Sequence, residues 1–125
     1  MAEPDHLKPL EWIGSSLKDL REFPAPVRRD IGSALLFAQK GGKSDSAVPL
    51  KGYGGAGVLE VVEDYRGDTY RAVYTVRFAT AVYVLHSFQK KSKRGRETPK
   101  AEMDVINRRL KEAESLHRAR MKETT

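Results

Sequence analysis

The chain has 125 residues, a formal net charge of +6 and no cysteine. This length supports a hydrophobic core without metal or disulfide staples, and the absence of cysteine excludes disulfides and thiolate zinc sites. No stretch reaches the roughly 20 apolar residues of a membrane span, and the N-terminus lacks the apolar run of a signal peptide, so we expect a cytoplasmic protein.

The first 40 residues predict one short strand and two helices. Pro9–Ile13 roughly alternates between apolar and polar residues, and Gly14 ends this strand. Apolar residues at three-residue spacing predict a helix over Ser15–Phe23, which Pro24 closes. An apolar face predicts a second helix over Val27–Lys40. The connection between the two helices is very short, so they form a helical hairpin.

The rest of the chain predicts a loop over Lys43–Gly57, an antiparallel meander and a final helix that opens at Thr98-Pro99. The predicted strands are Val58–Glu63, Thr69–Phe78 and Ala81–Phe88. We therefore expect one α+β domain over residues 1–125, with a curled antiparallel sheet, an N-terminal helical hairpin and a C-terminal helix. Residues 1–8 and about 117–125 are expected to fray.

The strand over Thr69–Phe78 has two chemically different faces. Arg71 lies on the face opposite the apolar residues, so one face of the sheet should be apolar and the other partly cationic. Both hairpin helices are expected to pack on the apolar face. That face comprises Tyr70, Ala72, Tyr74, Val76 and Phe78.

Positive charge is concentrated in the last third of the chain. Residues 1–85 hold 11 basic and 11 acidic residues, whereas residues 86–125 hold 12 basic and 6 acidic ones. The density is highest at Lys90, Lys91, Lys93, Arg94 and Arg96. Such a focus attracts polyanions, nucleic acid first, although a solvated loop would look the same.

Few other residues suggest chemistry. His86, near the end of the third meander strand, is either a hydrogen-bonded core residue or a catalytic group. The three histidines lie on separate elements without the spacing of metal ligands, so we predict no metal site. The glycine-rich stretch Gly52–Gly57 precedes a strand and lacks the lysine and helix of a phosphate-binding loop, so it predicts no nucleotide cofactor.

Taken in order, these features resemble the RelE superfamily of bacterial toxins, and within it the phage-derived Gp49-like, HigB-type branch. The resemblance covers roughly Lys8 to Ala113. The stretches that match are Lys8–Gly14, Pro49–Gly52, Gly57–Glu60, Asp68–Tyr74, Tyr83–Ser92 and Thr98-Pro99.

The resemblance implies metal-free cleavage of mRNA, associated with the ribosome, in which the ribose 2′-OH attacks the adjacent phosphate to give a 2′,3′-cyclic phosphate. Arg71 matches the strand arginine that the family places on the scissile phosphate, and Lys90 and Lys91 match the basic pair that ends the last strand. The catalytic tyrosine or histidine near the C-terminus of some family members has no secure counterpart in this chain, and His86 and His117 are the candidates for an acid or base. Four further residues are expected to bind RNA: Lys51, Lys93, Arg94 and Arg96.

The resemblance also implies a partner, a cognate antitoxin of the helix-turn-helix type that covers the cationic face. Two alternatives stay open because the superfamily is diverse in activity. One is a ParE-like inhibitor of DNA gyrase, and the other is an inert phage-derived module that binds RNA or protein. The chain departs from the family pattern at Val61 and Val62, where many relatives carry a second basic residue. Because the family's catalytic tyrosine or histidine also has no secure counterpart here, the acid–base half of the site is unassigned.

Overall fold

The structure is a computed structural model that describes residues 7–54, 57–90 and 98–123. It contains five strands and three helices, and their order confirms the α+β expectation. The strands are β1 (Leu10–Trp12), β2 (Ala47–Pro49), β3 (Val58–Tyr65), β4 (Asp68–Thr75) and β5 (Val82–Lys90). The helices are α1 (Ser16–Arg21), α2 (Ala25–Gln39) and α3 (Lys100–Glu123).

All five strands form one sheet in the order β1-β5-β4-β3-β2. The predicted meander β3–β4–β5 is present and antiparallel. The sheet as a whole is mixed, because β1 pairs with β5 in parallel, with Leu10 opposite Val82. A strand from the start of the chain can join this edge in parallel because both hairpin helices lie between it and the meander in sequence.

One face of the sheet, which we call the hairpin face, packs against α1 and α2 as predicted. Its central residues, Ala72 and Tyr74, are fully buried against apolar side chains of the hairpin. The α2 residues in this core recur at helical spacing because each must point at the sheet. They are Val27, Ile31, Ala34, Leu35 and Ala38.

The other face, which we call the α3 face, carries a second core that the sequence reading did not anticipate. Val73 and Leu85 of the sheet are fully buried there together with Ile106 and Ala113 of α3. The sequence predicts a partly cationic face here and gives no sign of this second core. The apolar stripe of α3 needs a surface to cover it, and the half of the face around Val73 supplies that surface.

Three local predictions differ from the structure. Strand β4 ends at Thr75 rather than at Phe78. Phe78 therefore belongs to the α3 side of the protein, where its ring lies 4.3 Å from that of His117. Helix α3 continues to Glu123 instead of fraying near residue 117, since its last turns contact Phe78 and Arg120 forms an ion pair with Glu11 of β1 at 2.7 Å.

The third difference is β2, a three-residue strand inside the predicted loop that pairs with β3. A strand this short leaves no periodic signal. Among the described residues, no helix combines the length and the apolar character that crossing a bilayer requires.

Two carboxyl groups meet where β3 faces α2. Glu63 of β3 lies opposite Tyr70 of β4, on the hairpin face, and hydrogen-bonds Asp30 of α2. Burial, the hydrogen bond and the charge of Asp30 together raise the pKa of Glu63 to about 7. The folded state therefore favours the protonated carboxyl, and this contribution to stability is lost as the pH rises from about 4.5 to about 7.

Glu63→Gln should stabilise the protein above neutral pH, because the amide cannot ionise beside Asp30. We expect a higher melting temperature than the parent's at about pH 8, with the advantage shrinking or vanishing near pH 5. Thermal unfolding followed by circular dichroism at both pH values measures the effect. Glu112→Gln, an exposed change on α3, is the control. An advantage that does not depend on pH would contradict the shared-proton interpretation.

Candidate functional site

Strand register brings the predicted cationic residues together at one end of the α3 face. Arg71 pairs with Phe88, and Thr69, two residues earlier, pairs with Lys90. Residues two apart on a strand share a face, so Arg71 and Lys90 are diagonal neighbours, roughly 7–8 Å apart. Both side chains are more than nine-tenths buried. Arg71 thus lies on the face opposite Tyr70, as the sequence predicts, but inside the protein rather than on its surface.

Arg71 is held by a carboxylate that the sequence reading missed. Its Nη1 lies 3.1 Å from Oε1 of Glu60 on β3, and Glu60 is only 5 % exposed. The two side chains form an ion pair that is almost completely shielded from solvent, so the removal of either one would leave the other without its counterion. A single charge within the otherwise apolar run Val58–Val62 was the available signal, since a carboxylate in a buried strand needs a partner.

Thr98 connects this ion pair to α3. Its hydroxyl donates a hydrogen bond to Oε2 of Glu60 at 3.0 Å and lies 3.5 Å from Nη1 of Arg71. Thr98 precedes the first residue of α3 by two positions, so the start of the helix is fixed over the ion pair. The result is a polar cluster of acid, guanidinium and hydroxyl at the edge of the α3 core.

The other basic candidates divide into two groups. Lys51 is exposed and follows Leu50, which hydrogen-bonds to Val58 at the far end of β3. Arg71 pairs with Val62, four residues further along that strand, so the structure separates Lys51 from Arg71 by roughly 13 Å of strand. Four of the predicted basic residues lie outside the described residues: Lys91, Lys93, Arg94 and Arg96.

His86 is buried on the α3 face, and both of its ring nitrogens have partners. Arg109 of α3 lies with Nη1 3.3 Å from Nδ1, and Glu102 lies with Oε1 3.2 Å from Nε2. A guanidinium only donates, so Nδ1 accepts and the ring proton is on Nε2, where it is donated to Glu102. Burial lowers the pKa of His86, although the hydrogen bond to Glu102 opposes this shift.

This arrangement fixes a neutral imidazole. With Nδ1 accepting from Arg109 and Nε2 donating to Glu102, the ring offers no vacant nitrogen to a substrate. A bulge positions it: Val73 and Tyr74 pair with His86 and Val84, so Leu85 is an extra residue in β5. Val84 therefore lies on the hairpin face, whereas strict alternation along the strand would place it on the same face as His86.

Arg109 ties α3 to two other elements. Besides His86, it donates to the carbonyl of Leu85 at 3.0 Å and to Oγ of Ser15, before α1, at 3.0 Å. Its guanidinium lies over Gly14, where an added Cβ would come within 2.6 Å of Nε. Gly14 also has φ +56°, a left-handed backbone conformation that favours glycine, and a side chain here would displace the guanidinium of Arg109.

Comparison with known proteins identifies the family. The profile of the phage-derived protein Gp49-like family matches residues 18–111, three quarters of the chain. No curated protein matches the sequence significantly. Among solved structures, E. coli toxin RelE, determined as a mutant in the free state, is 18 % identical. The match has a TM-score of 0.54 and covers 85 % of this chain and 97 % of that one.

A second solved structure is the toxin–antitoxin complex RelBE2 from Mycobacterium tuberculosis. Its matching chain is 18 % identical, with a TM-score of 0.40, over 73 % of this chain and all of that one. At such identities a structural likeness shows the fold alone, and RelE shares the fold described above. By its sequence, the chain belongs to the phage-derived Gp49-like family.

Proposed function

We propose that this protein is the toxin of a type II toxin–antitoxin pair and acts as an endoribonuclease on mRNA undergoing translation. Membership of the Gp49-like family and the fold shared with RelE support the toxin role. The observation that carries the nuclease activity is the cluster of Glu60, Arg71 and Thr98 next to Lys90. It combines a carboxylate, which can accept the proton of a 2′-OH, with a guanidinium and an ammonium, which can stabilise the charge that builds on the phosphate.

In the proposed reaction, Arg71 exchanges its contact with Glu60 for the oxygens of the scissile phosphate. Its guanidinium can bind two of those oxygens at once, and Lys90 adds positive charge beside them. Glu60 is then released within reach of the ribose and accepts the proton of the 2′-OH. The 2′ oxygen bonds to phosphorus, the bond to the 5′ oxygen breaks, and that oxygen takes a proton from water.

This assignment gives His86 a different part from the one the sequence suggests. Its contacts with Arg109 and Glu102 orient the end of β5 that carries Phe88 and Lys90. We propose that it is a positioning residue. The basic residues Lys91, Lys93, Arg94 and Arg96 follow Lys90 directly in sequence, and we propose that they and Lys51 bind the RNA backbone.

The proposal includes a partner and a place of action. A cell that makes a toxin must keep it inhibited during normal growth. An antitoxin of the helix-turn-helix type that covers Arg71 and Lys90 would inhibit it. Translated mRNA on the ribosome as substrate implies a cytoplasmic protein. Burial of Arg71 by Thr98 is compatible with dependence on the ribosome, because the contact has to open before RNA can enter.

Induced expression in a bacterial host tests the proposal. We expect growth arrest, RNA fragments ending in 2′,3′-cyclic phosphates, and rescue by co-expression of the adjacent gene product. Purified protein should give the same ends on mRNA with ribosomes. Growth arrest with inhibited DNA supercoiling and intact RNA would instead establish a ParE-like activity. Normal growth at high expression would contradict both toxin roles.

A further inference from the structure

A second candidate site lies on the opposite side of β5 from α3. Along one edge of β5, strand β1 pairs only with Val82–Val84. In the described part of the chain, the rest of that edge, up to Lys90, therefore has no neighbouring strand. A cavity of about 320 Å³ opens beside this segment, between it and α1. Its lining includes Asp19, Glu22, Phe23, Tyr70, Ser87 and Phe88.

The cavity is acidic on a protein that is basic overall. Asp19 and Glu22 of α1 both line it, whereas the whole chain carries a net charge of +6. Asp19 accepts one hydrogen bond from Oγ of Ser15 at 2.8 Å, and a carboxylate can accept several more. Glu22 is exposed at the mouth. Two carboxylates at one opening favour a cation and repel phosphate.

Aromatic rings form the walls. The rings of Phe23 and Tyr70, on the hairpin face, lie 4.9 Å apart at 60° and both residues line the cavity. Aromatic faces attract cations, and a guanidinium is planar and weakly hydrated, so it stacks on such rings more readily than an ammonium does.

Ser87 supplies an independent sign that a ligand belongs here. It lines the cavity, is 2 % exposed, and its hydroxyl oxygen has no hydrogen-bond partner within residues 7–54, 57–90 and 98–123. A buried hydroxyl without a partner is costly. An N–H donor that enters the cavity would satisfy this oxygen.

We propose that the cavity binds the side chain of an arginine from a partner protein. The guanidinium donates to Asp19, Glu22 and the hydroxyl of Ser87, and its plane packs on the aromatic walls. Five N–H donors in a rigid plane suit three acceptors, which the point charge of lysine does not. If the protein is a toxin, this partner is its antitoxin, and to that extent the identity of the partner rests on the proposed function.

Peptide binding tests the site without reference to toxicity. The probe is the capped tripeptide glycyl-arginyl-glycine, and the matched control replaces arginine by citrulline, which has the same shape and no charge. Titration into isotope-labelled protein should shift the backbone amides of Ser87 and Gln89, with millimolar affinity for the arginine peptide and at least about tenfold weaker binding of the citrulline peptide.

Variants connect that binding to the cavity. Glu22→Gln should lower the affinity for the arginine peptide about tenfold. Glu112→Gln, on the exposed surface of α3, should leave this affinity unchanged. Ser87→Ala should weaken binding while leaving the melting temperature equal or higher, a combination that a purely structural serine would not give. Equal binding of both peptides, preferential binding of guanosine monophosphate, or no shift at all would each overturn the proposal. None of these results depends on whether the protein cleaves RNA.

Discussion

Arg71→Ala is expected to reduce RNA cleavage by about 10²–10³-fold and to abolish growth arrest. Negative charge builds on the phosphate as the reaction proceeds, so the guanidinium should stabilise the transition state more than it stabilises bound RNA. We therefore expect the loss mainly in the rate of the chemical step, measured under single turnover, with a smaller change in RNA affinity.

The ion pair with Glu60 makes protein stability the main control for this experiment. Removal of Arg71 leaves a buried carboxylate without its counterion, which typically costs about 3–5 kcal/mol. Arg71→Lys keeps the charge and should fold, yet recover only a small part of the activity, because an ammonium cannot bind two phosphate oxygens in a plane. Arg77→Ala removes a partly exposed arginine that pairs with Glu114 and should remain active. Full activity of Arg71→Lys would contradict the phosphate-clamp role.

Glu60→Gln is expected to reduce cleavage by about 10²–10⁴-fold while RNA binding is retained. The amide has nearly the same shape, and its oxygen can still accept from Arg71 while its NH2 group donates to the hydroxyl oxygen of Thr98, so the cluster should stay assembled. What the amide loses is the ability to take the 2′-OH proton. Single-turnover rates as a function of pH measure this loss.

The opposite outcome has a definite meaning. If Glu60 only neutralises Arg71, the substitution should free the guanidinium, and RNA binding and cleavage should be unchanged or stronger. Glu114→Gln is the matched control, because it removes the carboxylate of the more exposed 2.9 Å ion pair between Arg77 and Glu114 of α3. Its activity should equal that of the parent.

Local patterns in the sequence were sufficient to predict most of the fold. Periodicity located both hairpin helices and the three meander strands, and alternation placed Arg71 opposite Tyr70. Alternation failed at the bulge at Leu85. The extra residue there reverses which face the residues on the N-terminal side of the bulge occupy, relative to those on its C-terminal side, and composition gives no sign of it. Strict alternation counted back from His86 would therefore place Val84 on the wrong face.

The candidate site was less predictable because its contacts join distant segments. Glu60 meets Arg71 through the register of β3 and β4, and Thr98 reaches both only after α3 has packed. His86 depends on Glu102 and Arg109, which belong to a different element. Side-chain spacing within one strand or helix cannot predict contacts between distant segments. The isolated charge of Glu60 in an apolar strand did indicate that this residue needs a buried partner.

The parallel pairing of β1 with β5 has a consequence for synthesis of the protein. Leu10 leaves the ribosome early, but its partner Val82 is made about 70 residues later. At about 5–20 residues per second, β1 waits roughly 4–15 s for the strand that it joins. Thr98, which completes the cluster around Arg71, follows later still. A nascent chain therefore cannot assemble this cluster before Thr98 has been synthesised, so a product that terminates earlier would lack the cluster.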